Sequence, residues 1–195
     1  MNTLEELIAS LEAKGILKTP AIKKAFQMVD RKNFVLPKHI DTAYLDRALP
    51  IGEKQTISQP LTVAFMLELL KPQKHHRILD VGSGSGWTTA LLAELVGEKG
   101  KVFAIERIES LKEYGKAKVA NMGYKNVKFT VGNGALGLPA HAPFDRILVS
   151  ASTDQVPQKL IEQLAAGGRL VIPLRDEKGN VLLLTKDGKK EISRL

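Results

Sequence analysis

Asp80, Gly82, Gly84 and Gly86 stand at alternate positions in Ile78-Leu-Asp-Val-Gly-Ser-Gly-Ser-Gly86, between an apolar run and a helical pattern that opens at Trp87. Glycine is needed where the backbone takes φ > 0 or where a ligand must approach with no Cβ in the way. A strand, a glycine turn and a helix start in succession put free N–H groups beside a ligand at the carboxyl end of a sheet. The spacing excludes two common ligands. A dinucleotide fingerprint, G-x-G-x-x-G, would need its third glycine where Trp87 or Thr89 stands. A phosphate loop would need a Gly-Lys-Ser/Thr ending, and none follows. Downstream, Lys101-Val-Phe-Ala-Ile-Glu106 is a second short apolar run that ends in an acid. An acid about 20 residues past such a turn can accept hydrogen bonds from ribose hydroxyls. Asp80 and Glu106 together predict a nucleotide-like ligand.

The elements that must position these residues follow from periodicity. Residues 3–13 and 20–30 read as helices, the second opening at Thr19-Pro20 with cap and first-turn chemistry. Asp30–Ser58 reads as irregular, with Pro37, Pro50 and Gly52 as breakers. A largely apolar helix is predicted over Gln59–Leu70. Strand 76–81, helix 87–97, strand 101–106, helix 109–122 and strand 127–131 come next. Strand 145–150, helix 157–165, strand 169–174 and strand 180–186 complete the series, closed by Asp187-Gly188. Strands alternating with helices imply a parallel sheet covered on both faces, with the ligand beyond the strand carboxyl ends. Asp80, Glu106, Asn133 and Ser150 all fall there. The division expected is an N-terminal helical and substrate-loop segment, 1–75, and a Rossmann-like core, 76–195, within one structural domain.

Composition narrows the chemistry. The 195 residues suffice for one domain with a sizeable core. No cysteine is present, which removes disulfides, thiolate metal sites and a cysteine nucleophile. His39, His75, His76 and His141 lack ligand spacing, so no metal is expected. The acidic amphipathic start does not read as a signal peptide, and no uncharged apolar run is long enough for a membrane span. A cytoplasmic, monomeric protein is expected. The net charge of +8 raises nucleic acid as a partner. The basic residues are scattered, however, and only Tyr114 and Tyr124 interleave with them, so no stable nucleic-acid partner is expected.

Asp80 to Gly86 has the D-x-G-x-G-x-G form of S-adenosylmethionine-dependent methyltransferases. Most of the chain resembles one family among them, the protein-L-isoaspartate (D-aspartate) O-methyltransferases. The resemblance runs through Arg31-Lys-Asn-Phe-Val35 and Tyr44-Leu-Asp-Arg-Ala-Leu-Pro-Ile-Gly52, and is sharpest at Gln55-Thr-Ile-Ser-Gln-Pro60. It continues through Thr62-Val-Ala-Phe-Met66, Ala104-Ile-Glu-Arg107, Gly132-Asn-Gly-Ala-Leu-Gly137, Ala142-Pro-Phe-Asp-Arg-Ile147 and Gly167-Gly-Arg-Leu-Val-Ile-Pro173. The glycine motif is common to all such enzymes, whereas Gln-Thr-Ile-Ser belongs to this family.

The resemblance implies a class I Rossmann-like α/β fold with a mostly parallel sheet, helices on both faces and an N-terminal helical extension. It implies methyl transfer from S-adenosylmethionine to the free α-carboxylate of L-isoaspartyl residues in damaged proteins and peptides, initiating repair through a succinimide. Ser58 is then the residue at the reaction centre, although Ser58-Gln59-Pro60 also reads as a helix cap. Gln55, Thr56 and Ile57 would join cofactor and substrate. Asp80 would act near the methionine amino group, Gly82, Ser83, Gly84 and Ser85 would give close approach, and Glu106 would hold the ribose. Asn133 and Gly134 would lie by the adenine.

Three departures from the family pattern stand out. Asn133 replaces a usual Asp, Glu53-Lys54 stands where a second glycine is common, and a closing strand of the type Phe-Val-Pro-Leu is absent. The sheet is accordingly expected to end in a bare edge, a rearranged edge or one that a partner covers. Two other readings stay open: a methyltransferase acting on RNA or a small molecule, and a cofactor-binding homologue without catalysis.

Overall fold

Runs such as Val102–Ile105 are apolar at every position rather than at alternate ones, which suits strands buried on both faces. The computed structural model describes residues 3–151, 153–174, 180–185 and 190–194, with the side chains of 180–185, 190, 193 and 194 set aside. Its seven-stranded sheet contains β3 (Arg77–Val81), β4 (Lys101–Glu106), β5 (Val127–Val131), β6 (Phe144–Val149), β7 (Leu164–Pro173), β8 (Asn180–Thr185) and β9 (Lys190–Arg194). Their order is β5-β4-β3-β6-β7-β8-β9. The first five strands in that order are parallel, and β8 and β9 return antiparallel. The chain reverses direction across the sheet between β3 and β6, the kind of switch point where open α/β sheets bind ligands.

The sheet runs one strand beyond the predicted 180–186, so Lys190–Arg194 is its edge. The predicted turn at Asp187-Gly188 lies outside the described residues. A small hairpin, β1 (Leu49–Gly52) with β2 (Gln55–Ile57), forms within the stretch expected to be irregular.

Alternate residues of the strands feed two apolar layers. Ile78, Val102, Leu148 and Val171 meet α1 (Leu4–Ala13), α2 (Pro20–Met28), α3 (Pro60–Leu70), α4 (Trp87–Val96) and α5 (Glu109–Asn121). Leu79, Phe103, Ile147 and Leu170 face the other way, toward the short α6 (Gln158–Glu162) and neighbouring 3₁₀ turns. Thr3 caps α1 by accepting from the Glu6 amide at 3.1 Å. Thr19 makes no such bond to α2. Its amide and hydroxyl donate instead to Glu68 of α3, both at 2.7 Å, and Pro20 takes the first helical position.

The lone tryptophan, Trp87, joins the N-terminal helices to the core. It opens α4, stands edge-on to Phe26 at 5.6 Å, and donates from its indole N–H to the Val29 carbonyl at 3.2 Å.

Candidate active site

At the carboxyl ends of β3, β4 and β6 lies a cleft of about 940 Å³. Gly82, Gly84, Glu106, Asn133 and Gly134 line its sheet side, and Gln55, Thr56 and Ser58 line it from the hairpin side. Ser150 also reaches it. Eight of the predicted site residues are therefore brought together. Ile57, Asp80, Ser83 and Ser85 are not in the wall. Ile57 turns into the core with 3% of its surface exposed, while Ser83 and Ser85 are buried within the glycine turn.

Asp80 lies beneath that turn with no exposed surface. One carboxylate oxygen accepts from the Thr89 hydroxyl at 2.6 Å, and the other has no partner among the described residues. Desolvation pushes its pKa up to about 7, with Thr89 opposing and the nearby Glu106 charge adding to the rise.

The turn does not offer free amides in the way its sequence suggests. Gly82 N–H donates to the Ile105 carbonyl at 2.8 Å, Gly86 N–H to the Ser83 carbonyl at 2.8 Å, and Gly84 N–H to Glu106 at 3.0 Å. With these donors spent, the cleft is poorly suited to a phosphate and presents a carboxylate instead. The Glu106 carboxylate also accepts from the amides of Arg107, at 2.8 Å, and Ile108, at 3.1 Å. These three bonds hold it in one orientation, and its two oxygens have about four acceptor sites, leaving capacity for about one further donor such as a ribose hydroxyl.

Two features of the site carry no local signal in the sequence. Gly115 of α5 has room for no side chain, because a Cβ there would come within 2.7 Å of the Gly84 carbonyl. Only its position inside a helical pattern hints at a close backbone approach. The other concerns Asn133, whose oxygen turns back to accept from Ala135 N–H at 3.0 Å and caps the 3₁₀ turn Gly134–Leu136. Its oxygen is thus engaged inside the loop.

Ser58 caps nothing. The first residue before α3 is Gln59, which makes no side-chain cap bond, and Asp46 accepts from the Leu61 amide at 2.9 Å in its place. A larger hollow of about 1340 Å³ lies at the opposite end of the sheet, and none of the predicted site residues reaches it. Among the described residues, no cluster of His, Cys, Asp or Glu could hold a metal, and no helix is long and apolar enough to cross a membrane.

The family model for protein-L-isoaspartate(D-aspartate) O-methyltransferase matches residues 2–194. The chain belongs to this family. Among protein-L-isoaspartate O-methyltransferases, that of Aeropyrum pernix is 44% identical over 187 residues, which cover 94% of this chain and 72% of that protein. The Methanopyrus kandleri protein is 43% identical, with 94% and 83% covered. A crystal structure from Plasmodium falciparum, described as a protein-L-isoaspartate O-methyltransferase in complex with S-adenosyl-L-homocysteine, superposes with a TM-score of 0.86 at 25% identity. The match covers 100% of this chain and 95% of that one. A second protein-L-isoaspartate O-methyltransferase structure gives a TM-score of 0.85 at 31% identity and covers 99% of this chain, which spans 65% of that one. The architecture is the class I S-adenosylmethionine-dependent methyltransferase fold, and the cofactor of the family is S-adenosylmethionine.

Proposed function

We propose that this chain methylates the free α-carboxylate of L-isoaspartyl residues, with Ser58 orienting the acceptor and the Gly82–Glu106 side of the cleft holding the donor. The observation that carries this reading is the placement of Ser58, Gly84 and Glu106 around one cleft, with the Ser58 hydroxyl not used to cap α3. The cleft fits the cofactor in size and chemistry. Its volume is in the range of small-molecule sites, Glu106 keeps acceptor capacity for a ribose hydroxyl, and Gly134 keeps a side chain out of the floor near Val81.

When bound, S-adenosylmethionine supplies an electrophilic methyl group on a sulfonium. The chain's own task is then mainly positional. A carboxylate is already ionised at neutral pH, so no general base is needed to make the nucleophile. Ser58 Oγ–H can donate to one carboxylate oxygen and leave the other aimed at the methyl group. Gln55 and Thr56 flank the acceptor on the exposed strand of the hairpin, and Ile51 and Ile105 contribute apolar wall to the cleft. Orientation of this kind can supply about 7–11 kcal/mol in favourable cases. The resulting ester is the species that collapses to a succinimide and starts repair.

The same reading has the protein acting in the cytoplasm as a monomer, without a stable nucleic-acid partner. Labelled S-adenosylmethionine incubated with an isoaspartyl peptide, and with the matching Asp peptide as control, tests it. Label transferred to the isoaspartyl peptide alone is the expected result. No transfer to either would sink the proposal.

A further inference from the structure

Arg31 has none of its surface exposed. A guanidinium is a planar fork of five N–H donors, and removing it from water is costly unless those donors find acceptors. Burial lowers its pKa to about 10, partly opposed by Asp46, so it is still charged at neutral pH. Among the described residues, no carboxylate bonds to it directly. Instead Nη1 donates to the Ala43 carbonyl at 2.6 Å, and Nη2 donates to the carbonyls of Arg47 at 2.9 Å and Ser58 at 3.0 Å. The charged end also lies 5.3 Å from the centroid of the Trp87 ring, a cation–π contact.

Packing alone would be served by an apolar side chain of similar volume. Three carbonyls from separate points of the chain converge on the two terminal nitrogens, a spread that a planar fork spans and a point-like ammonium does not, while the Nε–H has no partner among the described residues. One belongs to Ser58, so a shift of that carbonyl carries the Ser58 hydroxyl with it. Trp87 follows Gly86 directly, which places the same cation against the helix that begins at the donor turn.

We infer that Arg31 is a positioning residue for methyl transfer, locking Ser58 through its carbonyl at a fixed place relative to the glycine turn. This rests on the reading of Ser58 given above. A displacement of about 1 Å at a reacting group can cost about 100-fold in rate.

Arg31→Lys keeps the charge but cannot reach three carbonyls. Calorimetry should show S-adenosylhomocysteine binding within about threefold of wild type, while kcat on an isoaspartyl peptide falls by about tenfold to 100-fold. Adding Ser58→Ala to Arg31→Lys should lower kcat by less than about twofold more, because the two residues act as one unit. A folded Arg31→Lys enzyme with kcat near wild type, or losses that multiply, would overturn the inference. If the lysine variant does not fold, hydrogen exchange on the wild-type protein decides. Residues 43–47 and 55–59 should open together in a single event, and independent opening would overturn the inference. That measurement needs no turnover. Failure of wild-type methylation would therefore count against the proposed function alone.

Discussion

The Glu106 carboxylate, at the end of β4, accepts a 3.0 Å hydrogen bond from the Gly84 amide in the middle of the donor turn. The acid at the end of one strand thus sets the shape of the turn that follows its neighbour. The residue that would hold the ribose and the loop that would admit the rest of the cofactor are one mechanical unit.

Glu106→Gln should break that unit. An amide has one acceptor oxygen, so its NH₂ must face one of the N–H donors now satisfied by the carboxylate. Losing charge-assisted bonds of this kind costs about 1.5–3 kcal/mol, and S-adenosylhomocysteine should bind about tenfold to 100-fold more weakly by calorimetry. Unchanged affinity would remove Glu106 from the cofactor site.

Ser58→Ala should leave thermal stability and cofactor affinity unchanged while lowering kcat on isoaspartyl peptide by about tenfold or more. The cap reading makes the opposite forecast, a stability loss of about 1 kcal/mol. Thermal melts and steady-state kinetics on the same sample separate the two.

Asp80 makes stability depend on pH. Its folded pKa is raised to about 7 from an ordinary 3.8, so the folded state holds this proton longer than the unfolded one does. More protons bound in the folded state means that stability falls as pH rises. The contribution is full below about pH 4 and is lost progressively up to about pH 7, a change on the order of 4 kcal/mol. Ligand-free wild type should therefore melt at lower temperature at pH 8 than at pH 5. In Asp80→Asn that part of the slope should vanish; an identical slope in both proteins would refute the assignment.

Gly115→Ala tests packing of α5 against the donor turn. Helix propensity alone forecasts a gain of about 1 kcal/mol. The contact forecasts the opposite sign, because the new Cβ would lie 2.7 Å from the Gly84 carbonyl and 3.1 Å from the Gly86 amide nitrogen. Overpacking against backbone costs about 1–3 kcal/mol. A lower denaturation midpoint together with weaker cofactor binding is expected.

The hairpin turn should be improvable. Glu53 and Lys54 have φ of 51° and 56°, values that side chains other than Gly, Asn and Asp rarely adopt. Since Gly52 pairs with Gln55, the turn is a two-residue one of the kind that Asn-Gly favours. Replacing Glu53-Lys54 by Asn-Gly should raise stability by about 1 kcal/mol in chemical denaturation. No gain would mean that the native side chains offset the backbone strain.

Periodicity made the large elements legible. The apolar spacing of 109–122 gives α5 at Glu109–Asn121, and the run at 76–81 gives β3 at Arg77–Val81. What escaped depends on partners distant in the chain. Leu49–Ile57 pairs as a hairpin although Pro50 lies within it and its two turn residues, Glu53-Lys54, are neither glycine nor asparagine. Thr19 spends its side chain on Glu68, and Asn133 spends its oxygen on its own loop. Asp80, read as a ligand residue, is shut beneath the turn because its strand is buried on both faces. Arg31 looks like any surface cation until Ala43, Arg47 and Ser58 are seen around it.

Trp87 is the chain's single indole, and it lies where Phe26, Val29 and Arg31 meet the helix that follows Gly86. Its emission therefore has one origin and needs no label to be assigned. Detachment of the first helices, loss of the overlying cation and movement of the donor turn all alter the surroundings of the same chromophore. The molecule carries its own optical gauge of the seam between its N-terminal helices and the glycine turn.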